Sequence, residues 1–398
     1  MDLTELDGIT SRQIKLLHEG GIQSVEALAM TPRSILEDVD GVGEKTARTL
    51  IWEAREQLGM SEFAKASEER EDYEFIHSGS QNFDRILGGG VRTGKLTEVF
   101  GPFKSGKSNI CSTCAVTAQL PKEKGGLDGC VAWIDTENTF SKQKIKRIAR
   151  RFGLDPEKST DRIFKVRIFS TDHQVQMIRK SEELCKDHGV RLIILDSLMA
   201  LLRNEYIGIG KLAPRQAVLN NMLHALSRIA ESYNCAVLLT NQVATQMKGM
   251  FSSNDAIGGN IVAHGCHFRV SLKTKGFSAN SSLKRRAVIV DAPDLPPEEC
   301  EFYITSYGIA DTKTVDVTKP AENIGTKGSI AAIPANGAGL DKVSGIGPAT
   351  LKKFKKAGVA CIKDLLVADS STLEQKLDGI SKDQIDEFKG KARPLVAP

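Results

Sequence analysis

Residues 101–108 read Gly-Pro-Phe-Lys-Ser-Gly-Lys-Ser, directly after the apolar run Leu96-Thr-Glu-Val-Phe100 and directly before a helical stretch. The spacing Gly101-x4-Gly106-Lys107-Ser108, between a strand and a helix, predicts a phosphate-binding loop. In such a loop glycines let backbone N–H groups approach phosphate, the lysine reaches the outer phosphates, and the hydroxyl can ligate Mg²⁺. A chain committed to a strand-loop-helix of this kind is expected to build an α/β domain around a largely parallel sheet. Further strand-length apolar runs at Cys130–Ile134, Arg191–Leu195 and Ala236–Thr240 alternate with helical segments at 142–152 and 215–233, which supports that reading.

Other positions acquire meaning from this loop. Arg191-Leu-Ile-Ile-Leu-Asp196-Ser197 ends a buried-looking strand in an acid, where a carboxylate directing Mg²⁺ belongs, although a strand-ending Asp is also a common turn residue. Trp133-Ile-Asp135-Thr-Glu137 closes another strand, so Glu137 emerges at the carboxyl edge, where open α/β sheets bind ligands. It is the candidate general base for an attacking water; the alternative is an acid complementing a helix N-terminus. Asn241-Gln242 closes a fourth strand and opens a long segment, 243–260, so a neutral amide at Gln242 is placed to sense the outer phosphate. Arg203–Gln216 and Val243–Asn260 are read as two long functional loops.

The 398 residues exceed one domain's usual length, and five segments are expected. Residues 1–60 hold Asp40-Gly-Val-Gly-Glu-Lys, a Gly-x-Gly helix start of helix-hairpin-helix type, and 61–75 form a charged linker. Residues 76–311 form the sheet domain and 312–339 a flexible linker. Residues 340–398 repeat the hairpin signature at Gly345-Ile-Gly347, followed by Lys352, Lys353, Lys355 and Lys356. These lysines are read as a non-specific contact to a nucleic-acid backbone, against the alternative of a solvated helix face. The fold class is thus a mostly parallel α/β core flanked by small all-α domains at both ends.

Composition excludes some classes. No apolar run approaches membrane-spanning length, and the acidic start Met-Asp-Leu-Thr-Glu-Leu-Asp is unlike a secretory signal, so the expected setting is cytoplasmic. Eight scattered cysteines indicate neither a disulfide framework nor a zinc ribbon; Cys111 and Cys114 are read as small packing residues. A formal net charge of +4 does not by itself identify a nucleic-acid partner.

Taken in order, several motifs resemble the RecA/RadA recombinase family, and its archaeal-type RadA branch in particular. They are Asp135-Thr-Glu137 with Thr139-Phe140, Thr171-Asp-His-Gln174, Leu195-Asp-Ser197, Glu205-Tyr-Ile-Gly208, Asn241-Gln-Val243, Ile257-Gly-Gly259 with His264, and Asp291-x-Pro-x-Leu-Pro296. The resemblance covers residues 1 to about 311. It implies a RecA-like core and a DNA-dependent ATPase that forms a helical filament or ring on single-stranded DNA, pairs it with double-stranded DNA and exchanges strands in repair, associated with the nucleoid. A regulatory paralogue that binds ATP and DNA without exchanging strands, and an ATPase unrelated to DNA, remain alternatives; the two hairpin modules argue against the second.

The resemblance also implies site roles. Gly101, Pro102, Phe103, Lys104, Ser105, Gly106, Lys107, Ser108 and Asn109 would hold ATP, with Ser108 and Asp196 on Mg²⁺ and Glu137, Lys107 and Gln242 catalytic. Arg151 would stack on adenine, while His264, Asp291 and Pro296 would complete the site from a neighbouring subunit. Arg203 and Tyr206 fall in the first DNA-binding loop, and Met247, Lys248, Met250, Phe251, Gly258 and Gly259 in or beside the second. The alternative for Met247, Met250 and Phe251 is a small apolar patch that docks on a neighbour. Phe63 and Ala66 match a Phe-x-x-Ala polymerisation tether. The sequence departs from the family at Lys104 and Asn138, where glycine is usual, and at Ile209, where a basic residue is often found.

Overall fold

The computed structural model describes residues 1–63, 65, 73–248, 251–274 and 283–317, and from 340 onward residues 340, 343, 346–347, 350–351, 353–354, 357, 359, 365–366, 368, 370, 373–374, 377 and 380–392. Side chains at 209, 244–248 and 251–255 are outside that description. Also outside it are Ala66, Met250, Gly345, most of the expected linker 312–339, and Lys352, Lys355 and Lys356. By packing, Met1–Lys327 form one unit and Gly328–Pro398 another.

The first unit begins with helices α1 (Ser11–Glu19), α2 (Val25–Met30), α3 (Arg33–Glu37) and α4 (Glu44–Gln57). Thr10 and Ser24 cap the first two by accepting from backbone amides, and Gly43 precedes α4 without a side-chain cap. Leu3, Leu17, Leu28, Leu36, Leu50 and Ile51 bury together as this segment's own core.

A nine-stranded sheet follows. Its strands are β3 (Leu96–Phe100), β4 (Cys130–Asp135), β5 (Ile163–Arg167), β6 (Val190–Asp196), β7 (Ala236–Asn241), β10 (Phe268–Thr274), β11 (Lys284–Asp291), β12 (Glu299–Thr305) and β13 (Gly308–Ala310). The order is β5-β4-β6-β7-β3-β10-β11-β12-β13, parallel from β5 to β10 and antiparallel beyond it. Short strands β1 (Phe75–Ile76) and β2 (Val91–Arg92) pair separately, with α5 (Gln81–Ile86) between them.

Both faces of the parallel strands are covered, which is why they are apolar without alternation. Val131, Trp133, Leu192, Ile194, Ala236 and Leu238 face α6 (Lys107–Thr117) and α7 (Lys142–Arg151), through Ile110, Cys111, Cys114, Ile145 and Ile148. Ala132, Ile134, Ile193, Leu195, Val237 and Leu239 face α9 (Thr171–His188), α10 (Ala200–Glu205) and α11 (Leu212–Ser232). The short α8 (Pro156–Asp161) packs beside α7. Cys111 and Cys114 are free, fully buried thiols whose pKa burial raises, as packing residues should be.

Two expected loops are partly regular. The first is short, because α10 runs to Glu205 and α11 already begins at Leu212. The second is a two-stranded antiparallel ribbon, β8 (Val243–Lys248) paired with β9 (Phe251–Ala256), followed by α12 (Gly259–Gly265).

In the second unit, Leu340, Val343, Ile346, Phe354, Leu365, Leu377 and Ile385 bury together, and α13 (Lys382–Ala392) contributes Ile385 and Ala392. Phe388 meets Phe354 edge to face, with ring centroids 6.0 Å apart.

Candidate nucleotide site and nucleic-acid interface

Strand register brings the candidate residues to one edge. Phe100 pairs with Asn241, Asp135 with Asp196 and Leu195 with Leu239, so the segments leaving β3, β7, β4 and β6 all emerge together. This is the carboxyl edge of the parallel strands, and β3 and β4 lie on opposite sides of β6 and β7, the kind of strand-order reversal at which such sheets bind ligands.

The loop between β3 and α6 ends on Gly106 at φ 111°, a left-handed turn where a Cβ would come within 2.7 Å of Ile304. In the first turn of α6 the amides of Asn109 and Ile110 donate to Gly106 O, while those of Lys107 and Ser108 have no acceptor among the described residues and are free for an anion. Lys107 Nζ donates to Gly101 O (2.8 Å) and Pro102 O (3.1 Å), arching over the loop it belongs to. Burial pushes its pKa down, opposed by Glu137 and Asp196. Ser105 Oγ is buried inside the loop without a hydrogen-bond partner. An ammonium held by two carbonyls, an orphaned hydroxyl and the two free amides of Lys107 and Ser108 together fit a phosphate chain.

Around the loop stand the acids. Asp196 is buried; its Oδ2 accepts from Thr139 Oγ1 (2.7 Å) and its Oδ1 from Thr240 Oγ1. Asp135, also buried, receives the amides of Thr139 and Phe140 and thereby shapes the turn that carries Glu137. Thr136 exchanges hydrogen bonds with the backbone of Ser197, locking the segments after β4 and β6 together. Glu137 Oε1 accepts from Ser197 Oγ (2.7 Å) and Gln242 Nε2 (2.9 Å), while Oε2 has no hydrogen bond among the described residues. One oxygen is fixed, and the other is open on an exposed side chain.

Gln242 also accepts from Arg203 of α10 at 3.4 Å. Its own N–H donates to Asn241 Oδ1, and its carbonyl receives Ile257 N–H. Asn241 Nδ2 in turn donates to Ile257 O and to Glu98 Oε1, and Glu98 Oε2 holds Arg269 Nε at 2.7 Å. Glu98 and Asn241 are fully buried, so a packed polar network under the sheet edge clamps the root of the β8-β9 ribbon.

The structure relocates some expected residues. Arg151 is buried, its guanidinium donating to the carbonyls of Gly79, Tyr307 and Ile309; it ties α7 to β13 and offers no open face to a base. Tyr206 packs on the core beneath α10 rather than standing free on a loop. Phe103 is 82% exposed and Asn109 lies in the first turn of α6. His264, Asp291 and Pro296 are exposed, and no hydrogen bond or ion pair among the described residues joins them to the loop 101–108. Met247, Lys248 and Phe251 lie in the ribbon strands, and Gly258 (φ 112°) and Gly259 form the turn into α12. Phe63 is fully exposed.

Sequence reasoning passed over Lys144, whose Nζ lies 3.5 Å from Ser108 O and whose pKa is lowered to about 8 by burial. Its position on a helix following the Glu137 turn was the available signal. Ser197, Thr240, Glu98 and Arg269 gave none, because their partners are distant in sequence.

A nine-stranded, mostly parallel sheet with a Gly-x4-Gly-Lys-Ser loop, a strand-ending acid and a strand-ending amide at one edge is the architecture of a RecA-like domain. The family model described as Rad51 matches residues 69–312, and one described as SAM-like helix-hairpin-helix tandem matches residues 1–56 and again 338–387. The chain is 38% identical over 319 residues to DNA repair protein RAD51 of Saccharomyces cerevisiae, covering 78% of each chain. It is 38% identical over 321 residues to DNA repair protein rhp51 of Schizosaccharomyces pombe (79% of this chain, 86% of the relative) and 40% identical over 311 residues to DNA repair protein RAD51 of Mycosarcoma maydis (76% and 90%). The chain belongs to the Rad51 family, as its motifs led one to expect. Among the described residues no helix is long and apolar enough to cross a membrane.

Proposed function

We propose that this chain is a DNA repair recombinase: a DNA-dependent ATPase that assembles on single-stranded DNA, pairs it with a duplex and exchanges strands. The observation that carries the reading is the hydrogen bond from Gln242 to Glu137, because it joins the candidate base to the ribbon expected to touch DNA. Names of the relatives in DNA repair support the same conclusion.

Bound Mg²⁺-ATP would supply the phosphoanhydride to be cleaved and the cation that offsets its charge. Lys107 and the free amides of Lys107 and Ser108 would hold the phosphates, Ser108 and Asp196 would supply the metal-side oxygens, and Thr139 and Thr240 orient Asp196. Ser197 and Gln242 fix Glu137 through Oε1, so Oε2 is the oxygen that takes a proton from water. Lys144 adds a cation beside Ser108. Because Gln242 shares its backbone with the ribbon root, a change of its partner on the nucleotide side is transmitted to β8 and β9. His264, Asp291 and Pro296, exposed on one chain, are proposed to meet the site of the next, with Phe63 as the tether.

The test is ATP hydrolysis with and without single-stranded DNA, for wild type and Glu137→Gln. DNA should accelerate the wild type, and the isosteric variant should lose about 10²- to 10⁴-fold in kcat. An enzyme indifferent to DNA would remove the recombinase reading; undiminished turnover in the variant would remove Glu137 as base.

A further inference from the structure

We propose that the outward face of α7 binds the phosphate backbone of duplex DNA, as a contact separate from the β8-β9 ribbon. The ten residues of α7, Lys-Gln-Lys-Ile-Lys-Arg-Ile-Ala-Arg-Arg, hold six Lys and Arg and no Asp or Glu, whereas the formal net charge of the entire chain is +4. Positive charge is therefore concentrated on this helix.

Two of the six cations are spent inward: Arg151 on backbone carbonyls and Lys144 beside Ser108. Lys146 pairs with Glu157 of α8. The side chains of Lys142, Arg147 and Arg150 are exposed and make no hydrogen bond or ion pair among the described residues. Of the nearby acids, Glu157 pairs with Lys146 and lies within electrostatic reach of Lys142, and Asp155 caps α8 by accepting from Glu157 and Lys158 amides, so Arg147 and Arg150 keep their charge unpaired among the described residues. Exposed Lys158, at the same helix pair, adds a further cation.

Helix geometry arranges these charges. Lys142, Lys146 and Arg150 are four residues apart and form one ridge with steps of about 6 Å, and Arg147 flanks it. A straight, rigid row of cations suits a regular anionic lattice. The only other exposed side chain on α7 is Gln143, and no aromatic stands on this face, so the base stacking that favours single strands has no platform here. Backbone contact without base readout selects a duplex by charge and shape alone. On the opposite face Ile145, Ile148 and Ala149 anchor α7 to the core that also seats α6, so the surface is rigidly mounted.

The inference rests on the reading that this chain acts on DNA, and its test separates the two. Full-length Lys142→Gln/Arg147→Gln/Arg150→Gln is compared with wild type for binding a short fluorescein-labelled duplex by anisotropy across a salt series. Each lost phosphate contact flattens the slope of log K against log salt by about 0.9, so the triple variant should lose about 2.7 and Arg150→Gln alone about 0.9. Arg147→Lys/Arg150→Lys should keep the wild-type slope. Single-stranded-DNA-stimulated ATP hydrolysis should be unchanged in all of them; its absence in wild type would remove the reading of function, not the role of α7. An unchanged duplex slope in both Gln variants overturns the proposal. So does a loss of binding to labelled poly-glutamate with duplex binding intact, which would assign the face to an acidic protein.

Discussion

Replacing Glu98 by Gln tests whether the buried network beneath the ribbon is what holds β8 and β9 to the sheet edge that carries Glu137. Glu98 is fully buried on β3, and its two oxygens accept from two donors, Asn241 Nδ2 at 2.8 Å and Arg269 Nε at 2.7 Å. An acceptor-only carboxylate fits between two donors; an amide can satisfy one and must turn its own NH₂ toward the other. The guanidinium of Arg269, whose side chain is only 12% exposed, then loses its counter-charge. Breaking a buried pair from one side costs about 3–5 kcal/mol, of a total stability on the order of 5–15. With an m value of about 3 kcal/mol/M, the urea midpoint should fall by about 1 M or more. Glu98→Met/Arg269→Met removes both charges, so the double variant should be less unstable than the sum of its singles by about 2 kcal/mol. Asn241 also holds Gln242 N–H and Ile257 O, so Glu98→Gln should reduce stimulation of ATP hydrolysis by DNA more than hydrolysis without DNA. A midpoint shift equivalent to less than about 1 kcal/mol, or strict additivity in the cycle, would refute the reasoning.

Three other outcomes are expected. Lys144 has its folded pKa lowered to about 8, below the ordinary lysine value, so the unfolded chain binds more protons between about pH 8 and 10.5 and the contribution of this group to stability rises with pH there. ATP, by contrast, favours the charged amine; affinity should fall as pH rises through 8, and Lys144→Gln should flatten that fall in a fluorescent-nucleotide titration. Lys104→Gly removes a cation from the phosphate loop and should weaken ATP binding up to about fivefold, the equivalent of a surface charge interaction, with no loss in thermal midpoint; unchanged affinity would exclude a contact from Lys104 to nucleotide. Phe63→Glu alters a side chain fully exposed on one chain, so the urea midpoint should not move while electron microscopy finds filaments lost; persistent long filaments would dismiss the tether.

Much of the site was legible because its parts are contiguous with their elements. Cys130–Ile134, Arg191–Leu195 and Ala236–Thr240 announce themselves as buried strands, and any acid or amide just past their ends must lie at the carboxyl edge, so Glu137, Asp196 and Gln242 could be brought together on paper. The ribbon could not. Val243–Lys248 and Phe251–Ala256 lack an apolar alternation, so nothing in their sequence marks them as strands, and the bond from Asn241 Nδ2 to Ile257 O that closes the root joins residues sixteen apart. Arg151 was misplaced for a related reason: its three acceptors at Gly79, Tyr307 and Ile309 lie far away in sequence, and an arginine near a helix end looks solvated until its partners are known.

Lys104 and Asn138, the two departures from the family's usual glycine, become intelligible together. Both adopt left-handed backbone, at φ 64° and 59°, the conformation glycine enters freely and other residues only at a cost of about 1–2 kcal/mol. Asn bears that cost best among the side chains, and here the turn is fixed by the very next residue, since Thr139 N–H donates to Asp135 and Thr139 Oγ1 to Asp196. Lys104 has no such intrinsic tolerance. Its carbonyl is held by Arg285 at 3.1 Å, and its ammonium lies 5.5 Å from the ring of Phe103. The lip of the nucleotide site thus keeps a glycine-type backbone without glycine, restrained by partners on β4, β6 and β11. Each of the two turns is thereby tied by hydrogen bonds to strands that flank the site, and the left-handed backbone is kept by those bonds rather than by the residue type.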